Sequence, residues 1–210
     1  MPVEGLDVYS GTGGVEWHRV AAAGKGFAFI RGAYGVAPDK MVRQNFAAAK
    51  GEGLVCGVYH FFRAPLDVTA QVQAFCQVLD DIKLGPGDLP PVIDVEDNPN
   101  YDGPWNRADN AEYLAHLGQW LTTLEQRTHR PPIIYVSSGF WSVLGNPTGF
   151  KKYRLWVANY GVQQPRLPSE WNAYDFWQYT DSGTVDGIPG SCDLDVFNGS
   201  LDDLRKVTLS

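Results

Sequence analysis

Several features that mark large protein classes are scarce in this sequence. Basic residues are outnumbered, with 17 Lys and Arg against 24 Asp and Glu in 210 residues and a formal net charge of −7. The cations stand singly along the chain, which argues against nucleic acid as a partner, because neutralising phosphates takes clustered Lys and Arg. No run approaches the roughly 20 apolar residues of a membrane-spanning helix, so membrane insertion is not expected. The start, Met1-Pro2-Val3-Glu4, has neither the basic nor the apolar region of an export signal, and the expectation is a chain without one. Cysteine is sparse: Cys56, Cys76 and Cys192 are an odd, widely spaced set with no metal-ligand pattern. At most one bridge can form, and buried free thiols are the expectation. Internal repeats, low-complexity tracts and linkers are also missing. Since a single core stops growing only at roughly 250 to 300 residues, one domain over residues 1–210 is expected, with its core from about residue 5 to 207.

What is plentiful is aromatic side chain, with seven Trp and ten Tyr. Such rings pair an apolar face with a polar tip and suit a carbohydrate groove or an interface, although core packing accounts for any single ring as well. Short apolar runs alternate with longer helical segments, the pattern of β/α units around a parallel sheet. Eight strands are expected: Gly5 to Tyr9, Phe27 to Arg31, Leu54 to Phe62, Pro91 to Glu96, Pro132 to Ser137, Arg154 to Tyr160, Ala173 to Tyr179 and Cys192 to Phe197. Helices are expected at Glu16 to Ala23, Asp39 to Lys50, Val68 to Ile82, Ala108 to Thr128 and Gly139 to Leu144. Asp39 and Asp67 are N-cap candidates, as is either Asn106 or Asp109 for the longest helix. After the sixth strand, Val162 to Trp171 and Thr180 to Ser191 are rich in Pro, Gly and Ser, so the last third reads as strand and loop. The fold class is therefore α/β, an irregular TIM-like barrel of five β/α units followed by three strands with few or no crossover helices.

Side chains alternate across a strand, so Ile93 and Val95 share one face and Asp94 and Glu96 the other. The helix layer of a barrel takes the apolar pair, which turns both acids to the axis at the C-terminal end of their strand, where such barrels keep their chemistry. Their α-carbons are about 6.5 to 7 Å apart at this spacing. The same parity turns Asp7 inward in Leu6-Asp7-Val8, and Asp193 and Asp195 inward in Cys192-Asp193-Leu194-Asp195-Val196. Strands one and eight meet where a barrel closes, which brings Asp7 and Asp193 together. Carboxylates crowded in a low dielectric cannot all ionise, so at least one keeps its proton near neutrality. Glycoside hydrolysis needs such a donor beside the leaving oxygen, and negative charge near an oxocarbenium-like centre. Glu96 is the donor candidate by reach and position, with Asp94 as its stabilising partner. Any single inward acid has a plainer explanation, an ion pair with an inward base such as Arg31.

With Gly5-Leu6-Asp7-Val8, Tyr59-His60-Phe61, Asp94-Val95-Glu96, Leu155-Trp156-Val157-Ala158-Asn159-Tyr160, Trp177-Gln178-Tyr179 and Asp193-Leu194-Asp195 in this order, the sequence resembles glycoside hydrolase family 25, the Chalaropsis-type lysozymes. The likeness runs from residue 5 to about residue 199. It implies an irregular barrel and hydrolysis of the β-1,4 bond between N-acetylmuramic acid and N-acetylglucosamine. It further implies Glu96 as general acid, Asp94 as a positioning or stabilising carboxylate, and Asp7 and Asp193 as members of the acidic cluster. Position 195 is Asp where the family more often carries Asn, which adds charge near the site. Gly11 to Gly14 and Asn98 to Trp105 read as loops of individual length. Tyr34, Tyr59, Tyr135, Trp156 and Gln178 lie near C-terminal strand ends and are the binding candidates, with core packing as the alternative for each.

The expected partner is bacterial cell-wall peptidoglycan, met by a monomer without cofactor or metal. A phage endolysin, a bacterial effector and a secreted lysozyme all fit the sequence. Two other functions stay open at this point. A non-catalytic glycan-binding barrel keeps the aromatics but has no need of Asp94 and Glu96. A metal-dependent hydrolase or deacetylase neutralises the acids with a divalent ion, yet the one histidine near them, His60, shares the parity of Val58 and faces away from Tyr59.

Overall fold

The computed structural model describes residues 1–210. Chain order is β1 (Val3–Val8), α1 (Trp17–Ala22), β2 (Phe27–Tyr34), β3 (Ala37–Pro38), α2 (Val42–Gly51), β4 (Val55–Phe61), α3 (Val68–Asp81) and β5 (Val92–Val95). Then come α4 (Pro99–Asp102), a 3-10 turn (Arg107–Asp109), α5 (Asn110–Thr128), β6 (Ile133–Ser137), α6 (Ser138–Val143), β7 (Arg154–Ala158), β8 (Phe176–Gly183), β9 (Cys192–Phe197) and α7 (Leu201–Lys206). Pairing runs β1-β2-β4-β5-β6-β7-β8-β9 and back to β1, a closed ring of eight strands, while β3 folds back on β2 outside it. Five ring strands are followed by crossover helices and the last three are not, as the segment pattern predicts; α7 follows β9 but crosses to no further strand.

The ring is not uniformly parallel. All of its strands from β1 to β8 run one way, but β9 is antiparallel to both β8 and β1. The helix-free 159–175 connection is long enough to carry the chain back to the floor before β8, whereas the short 184–191 connection is not, which makes β9 the return arm of a hairpin. Its N-terminal end, not its C-terminal end, therefore stands at the mouth of the barrel.

Alternation sorts the side chains into two cores. Leu6, Val8, Ile93, Val95 and Leu194 point outward to a shell with Leu117, Trp120 and Leu121 of α5. Phe27, Phe29, Val92, Ile133, Trp156, Phe176 and Phe197 fill the interior. Phe29 stacks on Trp156 at 4.3 Å and meets Phe176 edge-on at 5.0 Å, contacts of about 0.5–1.5 kcal/mol each beyond their burial. Room for these rings comes from an inward glycine: a Cβ at Gly57 would stand 2.6 Å from the Phe29 ring. Leu204 and Val207, at the end of the chain, join the same interior cluster and close its floor.

Several local expectations change. Asp67 does cap α3, accepting from the Ala70 N–H at 2.7 Å. Asp39 does not cap α2, whose N-cap is Met41; its carboxylate instead accepts from the Ser10 and Met41 N–H groups and pairs with Arg31 at 3.0 Å. Asn106 caps the 3-10 turn through the Ala108 N–H, while Asp109 stands at the start of α5 without a side-chain bond. The stretch read as a 98–105 loop holds α4, and the last third holds α7, begun by a reciprocal capping box between Ser200 and Asp203. The three thiols are free, with Cys56 and Cys192 buried. No helix is long and apolar enough to cross a membrane.

Candidate active site

The acids are delivered to one end of the barrel by strand direction and parity together. Asp94, near the end of β5, pairs in register with Phe61 and Tyr135, and Glu96 follows one residue beyond the strand. Asp7, near the end of β1, is directly opposite Asp193, the second residue of β9. On a parallel strand Asp193 would lie at the floor; the reversed direction of β9 lifts it to the mouth. Asp195, two residues further in, is fully buried and accepts from Trp156 Nε1 at 2.8 Å.

These groups surround a pit of about 220 Å³ that is lined by Asp7, Asp94, Glu96 and Asp193 with Tyr59, Tyr135, Trp156 and Gln178. Gln178 organises one wall. Its Nε2 donates to Asp7 Oδ2 at 2.6 Å, and its Oε1 accepts from the hydroxyls of Tyr135 at 2.7 Å and Tyr160 at 2.5 Å. Tyr9, Phe61 and Tyr160 line the pit as well and escaped the sequence reading. Tyr160 ends the Asn159-Tyr160 motif and Phe61 ends Tyr59-His60-Phe61, so both positions were usable signals; Tyr9 had only its place at a strand end. Tyr34 is not in the pit. It sits on the rim against Phe61, with ring centroids 4.8 Å apart, and its hydroxyl is bonded by Asn98.

No base neutralises the cluster by contact. Arg31 lines the pit, but its guanidinium is bound to Asp39, so it takes no inward acid as a partner. Burial is accordingly the first cause lifting every one of the five carboxyls. Asp7 is raised well above the usual carboxylate range by burial and then by the charges of Asp195 and Asp193. Asp195 is raised by burial and the charge of Asp193, against the opposing bond from Trp156. Asp193, less enclosed, reaches about 6. Asp94 is raised well above its range by burial and by Glu96 beside it, and Glu96 reaches about 7 through burial and the charge of Asp97. Asp7 influences Asp193 and Asp195, and Asp94 influences Glu96, so the acids titrate as two adjoining groups rather than singly.

Glu96 also borders a second, larger cleft of about 470 Å³ between the loop after β4, the α4 region and the first turns of α5. It is the residue common to both cavities. His60 takes no part: it points into the helix layer, fully buried, where Nδ1 accepts from Trp120 Nε1 at 2.8 Å and Nε2 then donates to the Gly35 carbonyl at 2.8 Å. Burial pushes it down to about 4, so the ring is neutral.

A barrel mouth with paired carboxyls that hold protons near neutrality, set beside a polar pit and an adjoining cleft, is the equipment of a glycoside hydrolase. Comparison with known proteins agrees. The model of glycosyl hydrolases family 25 matches residues 6–188, and the chain belongs to that family. It is 33% identical over 210 residues to the uncharacterized protein YegX of Escherichia coli, covering 97% of this chain and 72% of that protein. It is 31% identical over 202 residues to lysozyme M1 of Streptomyces globisporus, covering 94% and 68%. Among solved structures, the bacterial lysozyme of Streptomyces coelicolor superposes with a TM-score of 0.88 at 29% identity, over 99% of this chain and 97% of that one. The chain is thus a glycoside hydrolase of the lysozyme type.

Proposed function

We propose that the protein hydrolyses the β-1,4 bond between N-acetylmuramic acid and N-acetylglucosamine in bacterial peptidoglycan, with Glu96 as general acid and Asp94 as its stabilising, orienting partner. The observation that carries this is the position of Glu96 at the seam between pit and cleft, with its carboxyl lifted to about 7. A glycan lying across both cavities has one glycosidic oxygen at that seam. Glu96 gives that oxygen its proton as the bond to the anomeric carbon breaks, and the leaving sugar departs as a neutral alcohol from the cleft side. The sugar left in the pit gains oxocarbenium character, which the carboxylates of Asp94, Asp7 and Asp193 offset. Water then supplies the hydroxyl to the anomeric carbon and returns a proton to the carboxylate, so the enzyme ends as it began.

Tyr59, Tyr135 and Gln178 are assigned to shaping the pit around the bound sugar, and Tyr34 to the rim. Trp156 is assigned mainly to holding Asp195, since its indole N–H is committed there. The barrel from about residue 5 to 207 acts as one catalytic unit, working as a monomer. The test is the Glu96→Gln variant on purified peptidoglycan, scored by release of reducing ends with a chelator present throughout. A loss of roughly 10²-fold or more is expected, the usual contribution of a positioned acid. Near-wild-type release from the variant would refute the assignment of the acid. Loss of the wild-type enzyme's activity to the chelator would favour a metal-dependent hydrolase.

A further inference from the structure

Tyr113 lies at the start of α5, only 2% exposed. Its ring is caged by Trp105 at 4.9 Å, Phe62 at 5.5 Å and Phe140 at 6.3 Å. A phenol buried this deeply ordinarily has an acceptor, because an unmade bond in a dry site is costly. Tyr113 Oη has none. Asp94 Oδ1, a buried acceptor in the acid pair, is likewise without a partner. Tyr113 and Glu96 both line the larger cleft. Burial first, and then the charges of Asp94 and Glu96, hold the phenol in its neutral, donating form. An orphaned donor and an orphaned acceptor thus flank the same pair of acids.

We infer that Tyr113 is a positioning residue whose O–H closes onto Asp94 Oδ1 as Glu96 gives up its proton. The inference rests on Glu96 being the general acid. While the pair holds its protons, the hydroxyl gains little from it, which accounts for the unmade bond in the resting enzyme. When the proton leaves for the glycosidic oxygen, the pair becomes more negative, and the phenol donates a hydrogen bond without losing its own proton. The bond strengthens only as charge develops, which is the kind of contact that raises kcat rather than lowering KM. The other groups facing the pair are Asp97 on the same loop, Asp7 on β1, Asp193 on β9 and Arg31 on β2, the last tied to Asp39. Tyr59 on β4 and Tyr135 on β6 are buried and neutral. On the side of Tyr113, Glu112 and His116 belong to its own helix, and Asp102 is bound to Arg63.

Tyr113→Phe removes one oxygen and leaves the caged ring in place. Wild type, Tyr113→Phe and Glu96→Gln are compared on soluble peptidoglycan fragments from about pH 4 to 9, with kcat and KM resolved. The expected variant has kcat about tenfold lower, KM within about twofold, and an alkaline limb about one pH unit higher, because the pair holds its proton more tightly without the donor. A tenfold rate and one pH unit correspond to the same change in free energy, so the two readouts should move together and in these directions. Wild-type kcat with an unmoved limb overturns the inference, and so does a fall in Tm with an unmoved limb, which is what a purely structural tyrosine would give. If Glu96→Gln stays active, the assignment of the acid fails instead, whatever Tyr113→Phe does.

Discussion

Replacing Glu96 by Gln should make the fold more stable, and the gain should open with pH. The carboxyl stands at about 7 in the folded chain against an ordinary 4.5. An acid that holds its proton more tightly when folded favours folding while it is protonated in both states, and loses that advantage as pH rises between the two values. Below about 4.5 the wild type and the variant differ little; above about 7 the wild type carries the whole cost of a buried carboxylate. Roughly 2.5 pH units at about 1.4 kcal/mol each give about 3 kcal/mol, an upper figure because the site is partly open to water. For a chain of this size that corresponds to a rise in Tm of roughly 6–12 °C. Thermal or urea unfolding of both proteins at pH 4, 6 and 8 is the assay. A stability difference that is flat across this range, or that favours the wild type at pH 8, would refute the picture of an acid held in a costly place for chemistry.

Asp195→Asn keeps an acceptor for Trp156 Nε1 and deletes a charge that, after burial, is the largest cause raising Asp7. The acid limb of the pH–rate profile should move down by roughly half to one pH unit; an unmoved limb would mean that the inner acid is not electrostatically joined to the reacting ones. Gly57→Ala drives a methyl into Phe29, 2.6 Å away, and through it presses on Trp156. Overpacking of this kind costs about 1–3 kcal/mol, so a drop in Tm of several degrees with a loss of rate is expected, and an unchanged melting curve would show that the interior is loosely filled.

Much of this site was legible because its main determinant is local. Alternation along a strand needs no tertiary knowledge, and it alone turned Asp7, Asp94, Asp193 and Asp195 inward and His60 outward. The direction of β9 was not legible, since a strand reads the same in either orientation; only the shortness of the connection before it hinted at a hairpin. Arg31 was weighed as a partner for an inward acid, but Asp39, spent on neither an N-cap nor solvent, takes it. The missed helices carried readable signals: Asn98-Pro99 puts Pro at the first helical position of α4, and Ser200 with Asp203 forms the capping box of α7. Tyr113 had no such mark. A tyrosine on an amphipathic face looks like core, and only the missing partner of its hydroxyl separates it from core.

The reversal of β9 also bears on how the protein comes to fold. β8 and β9 are near neighbours in sequence and can pair early, whereas the seam between β1 and β9 joins residues almost a chain length apart, with Asp7 against Asp193. Contacts of such long range form late, because their loop-closure entropy comes due before any contact rewards it. Closing this seam also drives like charges together, so the last step of assembly runs uphill electrostatically in alkaline solution and is eased when the acids carry protons. Refolding of the barrel should therefore be faster on the acid side of neutrality, and a ribosome must deliver the chain through β9 before the acidic cluster exists at all.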